Sequence, residues 1–123
     1  MALHNKIGSW GENIAVDLLV SKGYAIVERN WRLHHYEIDI IAMLGNRIVF
    51  VEVKTRSNPD ENPIAAVDRQ KMKKMAVSAH YYVNIMQLPH EVQFDIIGIT
   101  GRPEKYTVEH IEDAFWSPLK TYR

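Results

Sequence analysis

Glu37 and Asp39, then Glu52 and Lys54, stand two residues apart in stretches otherwise built of β-branched and aromatic residues, EIDIIAML and RIVFVEVK. Side chains two apart on a strand share a face. The Gly45-Asn46 pair between the stretches predicts a two-residue hairpin turn. Leu44 then faces Arg47, which sets Asp39 across from Glu52 and Glu37 across from Lys54. One face of the hairpin reads Glu37, Asp39, Ile41, Met43, Ile48, Phe50, Glu52, Lys54; the other reads Ile38, Ile40, Ala42, Val49, Val51, Val53. Both faces are largely apolar, so the hairpin is expected at the centre of a sheet covered on two sides.

Like charges directly opposed on neighbouring strands destabilise the pair. Two carboxylates about 5 Å apart at an effective dielectric of ~20 repel by roughly 3 kcal/mol. Two arrangements offset this. One is structural: Glu37 pairs with Lys54 and one remaining carboxylate keeps a proton. The other is chemical: a hard divalent cation sits between Asp39 and Glu52 with Lys54 beside it, and oxygen ligands suit Mg²⁺ or Mn²⁺.

The rest of the chain bounds what such a site could serve. At 123 residues it has room for a single domain, with a core over about 6–111 and a tail over 112–123. Hydrophobic residues at 46% and charged residues at 24% are globular values. The absence of cysteine excludes disulfides and thiolate metal sites. The N-terminal residues have no long apolar core and no stretch reaches the length of a membrane span, so a cytoplasmic protein is expected. Fifteen basic residues balance 15 acidic ones. Nucleic-acid binding would therefore depend on local patches and metal ions rather than on a basic surface.

Residues 6–22 carry Ile7, Trp10, Ile14, Ala15, Leu18 and Leu19 at helical spacing and stop at Gly23. Gly8 and Gly11 inside that helix suggest close backbone approach. Glu12 beside the apolar stripe is either solvated or aimed at the acidic end of the sheet. A first strand is expected over Tyr24–Arg32, leading into a loop at Leu33–His35 whose two histidines read as incidental. SNPDENP, residues 57–63, is a loop, with Pro63 opening a long helix whose core face is Met72, Met75, Ala76, Ala79, Val83 and Met86. Arg69, Lys71, Lys73 and Lys74 on that helix are either a solvated face or phosphate contacts. Strands over His90–Thr100 and Tyr106–Ile111 flank a turn at Gly101-Arg102-Pro103. Asp95 is expected to bond a neighbouring strand end or Arg56. The tail is expected to form one helical turn laying Phe115 and Trp116 on the protein or on a partner. The order helix, three strands, helix, two strands predicts an antiparallel meander followed by a fourth strand parallel to the third. That is an α/β protein with a mixed five-stranded sheet and helices on both faces.

An acidic residue on one strand and Glu-x-Lys on the next resembles the PD-(D/E)xK nucleases, which share the restriction-endonuclease-like fold. Gly11-Glu12, Glu37-Ile38-Asp39, Phe50-Val51-Glu52-Val53-Lys54-Thr55-Arg56, Lys71 and Phe94-Asp95-Ile96-Ile97 together resemble the bacterial YraN family from about Gly8 to Ile99, itself similar to archaeal Holliday-junction resolvases. Tyr36 stands where that family usually has glycine, and Gln93 where it commonly has arginine. The resemblance implies a metal-dependent endonuclease acting on DNA, branched or damaged DNA included. It makes Asp39, Glu52 and the Val53 carbonyl metal ligands, with Glu12 completing the acidic site. Lys54 would orient and help deprotonate the attacking water, and Glu37 would hold Lys54 or reach the metal through water. Arg56, Arg69, Lys71, Lys73 and Lys74 would contact nucleic acid. It also suggests a homodimer, with Trp116 and Tyr122 as contact candidates. The rival readings are an accessory protein that binds nucleic acid without cutting it, an RNA-directed nuclease, and a structural subunit of a larger assembly.

Overall fold

The computed structural model describes residues 2–117, the side chains of residues 2–8 excepted. Its elements are α1 (Ala2–Ser21), β1 (Ala25–Leu33), β2 (Tyr36–Leu44), β3 (Arg47–Arg56), a short 3-10 turn (Ile64–Ala66), α2 (Arg69–Met86), β4 (Glu91–Arg102) and β5 (Lys105–Ile111). The strands lie side by side in chain order. Only β3 and β4 run parallel, because α2 carries the chain back across the sheet between them. The expected mixed sheet is therefore present, with a helix on each face. Met75, Ala76, Ala79 and Tyr82 of α2 bury one face against Ile41, Ile48, Phe50, Phe94 and Ile96. Ala15 and Leu19 of α1 bury the other against Ile40, Ala42, Val49, Val51, Ile97 and Ile99. No helix among the described residues is long and apolar enough to cross a membrane.

The hairpin turn is where Gly45-Asn46 puts it, with Gly45 at φ 59°. The ladder runs in the expected register from Leu44↔Arg47 to Ile40↔Val51 and stops there, one step short of Asp39 and Glu52. The face assignment also changes at this point. Ile38 packs with Ile41 and Phe50 under α2, whereas strict alternation groups it with Ile40. The neighbouring strand is irregular at the same level. β1 pairs with β2 on both sides of Asn30, through Arg29↔Ile40 and Trp31↔Ile38, yet Asn30 itself is left-handed at φ 55°. Asparagine is one of the few residues that adopts this conformation readily. This irregularity of β1 lies beside the point where the β2–β3 ladder ends.

α1 stops where expected, with Gly23 at φ 93°. Gly11 lies so close to β3 that a Cβ there would collide with the Thr55 hydroxyl, which is the close approach its place in a helix suggests. α2 begins later than Pro63. Pro63 starts only the 3-10 turn, and Asp68 caps α2 by accepting a 2.8 Å hydrogen bond from Lys71 N. At the far end Met86 is 50% exposed, and Tyr82 takes the core place expected for it. β4 continues through Gly101 and Arg102, so the last turn falls at Pro103-Glu104. Among the described residues after β5 there is no helical turn. Phe115 stacks on Phe94 with ring centroids 4.7 Å apart, and Trp116 is 88% exposed. Tyr122 lies outside the described residues.

Candidate active site

Where β2 and β3 part, the Asp39 side chain takes the place of the missing ladder bond: Oδ2 accepts a hydrogen bond from Val53 N at 2.8 Å. Val53 thus enters the site through its N–H. Glu52, next along β3, is buried, and its Oε2 lies 3.5 Å from Lys54 Nζ and 3.4 Å from Lys71 Nζ. Glu12 comes in from α1, also buried; its Oε1 accepts from Arg29 Nε at 2.9 Å and from Asn30 Nδ2 at 3.0 Å. Arg29 Nη2 also donates to Asn13 Oδ1 at 2.7 Å, which holds the guanidinium against the middle of α1. The kink at Asn30 serves this arrangement, because it turns both Arg29 and Asn30 towards Glu12.

The three carboxylates share one electrostatic environment. Asp39 is pushed up to about 7, first by burial and then by the charge of Glu52, with Glu12 adding to the rise; the Val53 N–H and the Lys71 ammonium work against it. Near neutral pH Asp39 is therefore only partly ionised.

Lys54 and Lys71 both pair with Glu52, and the charges of Glu52 and Glu12 act on Asp39. Glu37 does not face Lys54. With the ladder ended at Ile40, Glu37 turns out to Arg32 at 3.3 Å. Arg56 lies at the exit of β3, 3.7 Å from Glu61, and not near Asp95. Its distance from Asp95 follows from the register, which sets Arg56 beside Thr100 and Asp95 beside Val51. Arg69, Lys73 and Lys74 are exposed along α2. Sequence reading missed Arg29 and Asn30; the available signal was an asparagine interrupting the alternation of β1.

Among the described residues, no three histidine, aspartate or glutamate side chains already converge as a metal cage. The donor chemistry nonetheless suits a hard divalent cation. Asp39 and Glu52 are oxygen donors; burial and then the Glu52 charge raise Asp39, and a cation between the two would replace their repulsion with two attractions.

Asp95 is the other buried carboxylate. Its oxygens accept from Tyr24 Oη at 2.7 Å, Gln93 Nε2 at 2.9 Å and Asp113 N at 3.0 Å, and pair with His110 Nε2 at 2.8 Å. Burial alone would raise it, but these partners outweigh burial and hold it below the usual carboxylate range. Lys22 Nζ lies 2.9 Å from His110 Nδ1 and closes the network at the surface.

Fold and site define a three-layer α/β/α protein with an acidic, lysine-flanked centre where its two middle strands separate. The chain belongs to the uncharacterised protein family UPF0102, whose profile matches residues 11–99. UPF0102 proteins of Bacteroides thetaiotaomicron and Bacteroides fragilis are 45% and 42% identical to it over 120 residues, 97% of this chain and 99% of theirs. One from Flavobacterium psychrophilum is 42% identical over 117 residues, 94% of this chain and 98% of its own.

Proposed function

We propose that this protein is a divalent-metal-dependent endonuclease that hydrolyses phosphodiester bonds in DNA, with branched or damaged DNA as its substrate class. The observation that carries this reading is Asp39 bonded to Val53 N, next to Glu52 where β2 and β3 part, with the Glu52 charge acting on Asp39 and Lys54 on Glu52. Phosphodiester hydrolysis needs an activated water, neutralised phosphate oxygens and support for the leaving alkoxide. Asp39 and Glu52 would hold Mg²⁺ or Mn²⁺, which when bound supplies Lewis acidity towards the phosphate. Lys54 orients the attacking water, and its ammonium screens the charge building on phosphate. Lys71, now shared with Glu52, is free to move to a phosphate oxygen once Glu52 has another cation to hold. Arg29 and Asn30 keep Glu12 aimed at the centre. A two-fold homodimer belongs to the same reading, since a symmetric junction calls for two sites.

One observation favours a second reading. Glu52 already holds two ammonium groups and Asp39 is only partly ionised near neutral pH, so the cluster is tolerable without further help. An accessory protein that binds nucleic acid and cuts nothing could keep such a centre for stability. The two readings separate on end-labelled single-stranded, duplex, flap and four-way-junction DNA, with matched RNA, in Mg²⁺, Mn²⁺ or EDTA. Cutting that needs metal and prefers DNA supports the nuclease; binding without cutting in every metal supports the accessory protein.

A further inference from the structure

Four rings bridge the gap between the β1–β2 turn and α2. His35 lies against Tyr36 with centroids 4.2 Å apart, Tyr36 against Tyr81 at 5.3 Å, and His80 beside Tyr81 at 6.3 Å. Both histidines are exposed and Tyr81 is 42% exposed. None of the four belongs to either core cluster, so the stack is a feature of the surface.

Its position ties it to the acidic centre. Tyr36 precedes Asp39 by three strand residues, about 10 Å. On α2, Lys71, Lys74 and Tyr81 fall within roughly 80° of one another around the axis, and ten residues of helix span about 15 Å. Lys71 stands on Glu52, Lys74 is exposed, and Tyr81 meets Tyr36. A stripe of two cations followed by aromatic rings therefore leads away from the centre. Glu37, next to Tyr36, is neutralised by Arg32 at 3.3 Å and so presents no unpaired negative charge to an approaching phosphate.

We propose that the His35–Tyr36–Tyr81 stack, approached from the acidic centre past Lys74, binds an unpaired base of a single-stranded DNA segment that flanks the phosphate held at Glu52. The proposal rests on the nuclease reading for the position of that phosphate. Every base has a π-face, so stacking on tyrosine tolerates any sequence. Bases inside an intact duplex are already stacked and gain nothing from the rings, so the stack selects strand ends, flaps and branch points. A chain with equal numbers of acidic and basic residues also lacks the broad positive field that usually supplies affinity, and stacking compensates for that.

The test measures binding in EDTA, where no cutting occurs. The probe is a fluorescein-labelled oligodeoxythymidylate of about 15 nucleotides, a length within the range such surfaces cover. Its abasic counterpart and a duplex of equal length serve as controls. Wild type should bind the thymidylate about tenfold more tightly than the abasic strand, the contribution of roughly one stacked base. Tyr36→Ala and Tyr81→Ala should bring the thymidylate down to the abasic level without altering duplex binding, and Tyr36→Phe should keep the preference. If Tyr36→Ala fails to fold, Tyr81→Ala, at an exposed position, carries the test. Equal binding of thymidylate and abasic strand by wild type, or a full preference retained by the alanine variants, overturns the proposal. Such a result alongside metal-dependent cutting removes the stack and leaves the nuclease; a base preference without cutting does the reverse.

Discussion

Asp39 and Asp95 are both drawn into the sheet, and their surroundings push them in opposite directions. Asp95 has Tyr24, Gln93, His110 and the Asp113 N–H around its two oxygens, and it is held as a carboxylate. Asp39 has one backbone N–H and two neighbouring carboxylates, and it is pushed up to about 7. Burial acts on both, so the difference lies in the partners. A carboxylate whose lone pairs are all engaged by this chain's own donors is part of the structure. One that is left short of donors and crowded by like charge is poised to take up a proton or a cation.

The sharpest way to break this comparison is to neutralise each centre in turn. Glu52→Gln should lower cleavage by about 10³-fold or more, the scale lost when a principal stabiliser of the transition state is removed, while the protein stays folded. A variant that cuts as fast as wild type would end the mechanism. Asp95→Ala should do the reverse. It leaves Tyr24, Gln93, His110 and the Asp113 N–H without their acceptor and should cost about 3–5 kcal/mol in urea unfolding, with little effect on the rate of whatever remains folded.

Lys54→Ala tests whether the lysine belongs to chemistry or to stability. Metal binding should persist while the rate falls by about 10²-fold, the scale lost when one group stabilising the transition-state charge is removed. Loss of the fold would instead place Lys54 on the structural side of the comparison, as an ion-pair partner of Glu52.

The pH dependence of stability carries opposite signs at the two centres. For Asp39 the folded group titrates higher than the unfolded one, so the native state binds the extra proton between about 3.8 and about 7. Its contribution therefore falls as pH rises through that window, and it is a net cost above it. Asp39→Asn should raise the unfolding midpoint at pH 8 by a few degrees and flatten the decline. For Asp95 the folded group titrates lower, so its contribution is present above the ordinary aspartate range and is lost as pH falls through its depressed value. Thermal melts from pH 4 to pH 8 on wild type and Asp39→Asn would show whether the first trend belongs to Asp39. Arg29→Gln should have the smallest effect, a rate loss of about tenfold with near-normal stability, because it loosens Glu12 without removing a ligand.

Much of this was legible before the fold was seen. Gly45-Asn46 and the alternating stretches around it determine the hairpin register as far as Ile40↔Val51, one step before Asp39 and Glu52. The end of the ladder at Ile40↔Val51 is not legible, because nothing within the alternating stretch of β2 signals it. Glu12 remained ambiguous because a helix glutamate reads as solvated until Arg29 and Asn30 arrive from β1. The start of α2 was misplaced because Pro63 and Asp68 are both competent initiators, and the carboxylate cap won. Asp95 was read as structural, which its partners bear out, although Arg56 was the wrong partner to expect.

The most direct measurement is a calorimetric titration of Mn²⁺ at pH 8 into wild type, Glu52→Gln and Asp95→Asn, each first shown to be folded. Saturable binding by wild type and by Asp95→Asn, lost in Glu52→Gln, is the expected result. Binding of equal strength in all three, or in none, would contradict the assignment of Asp39 and Glu52 as a metal centre.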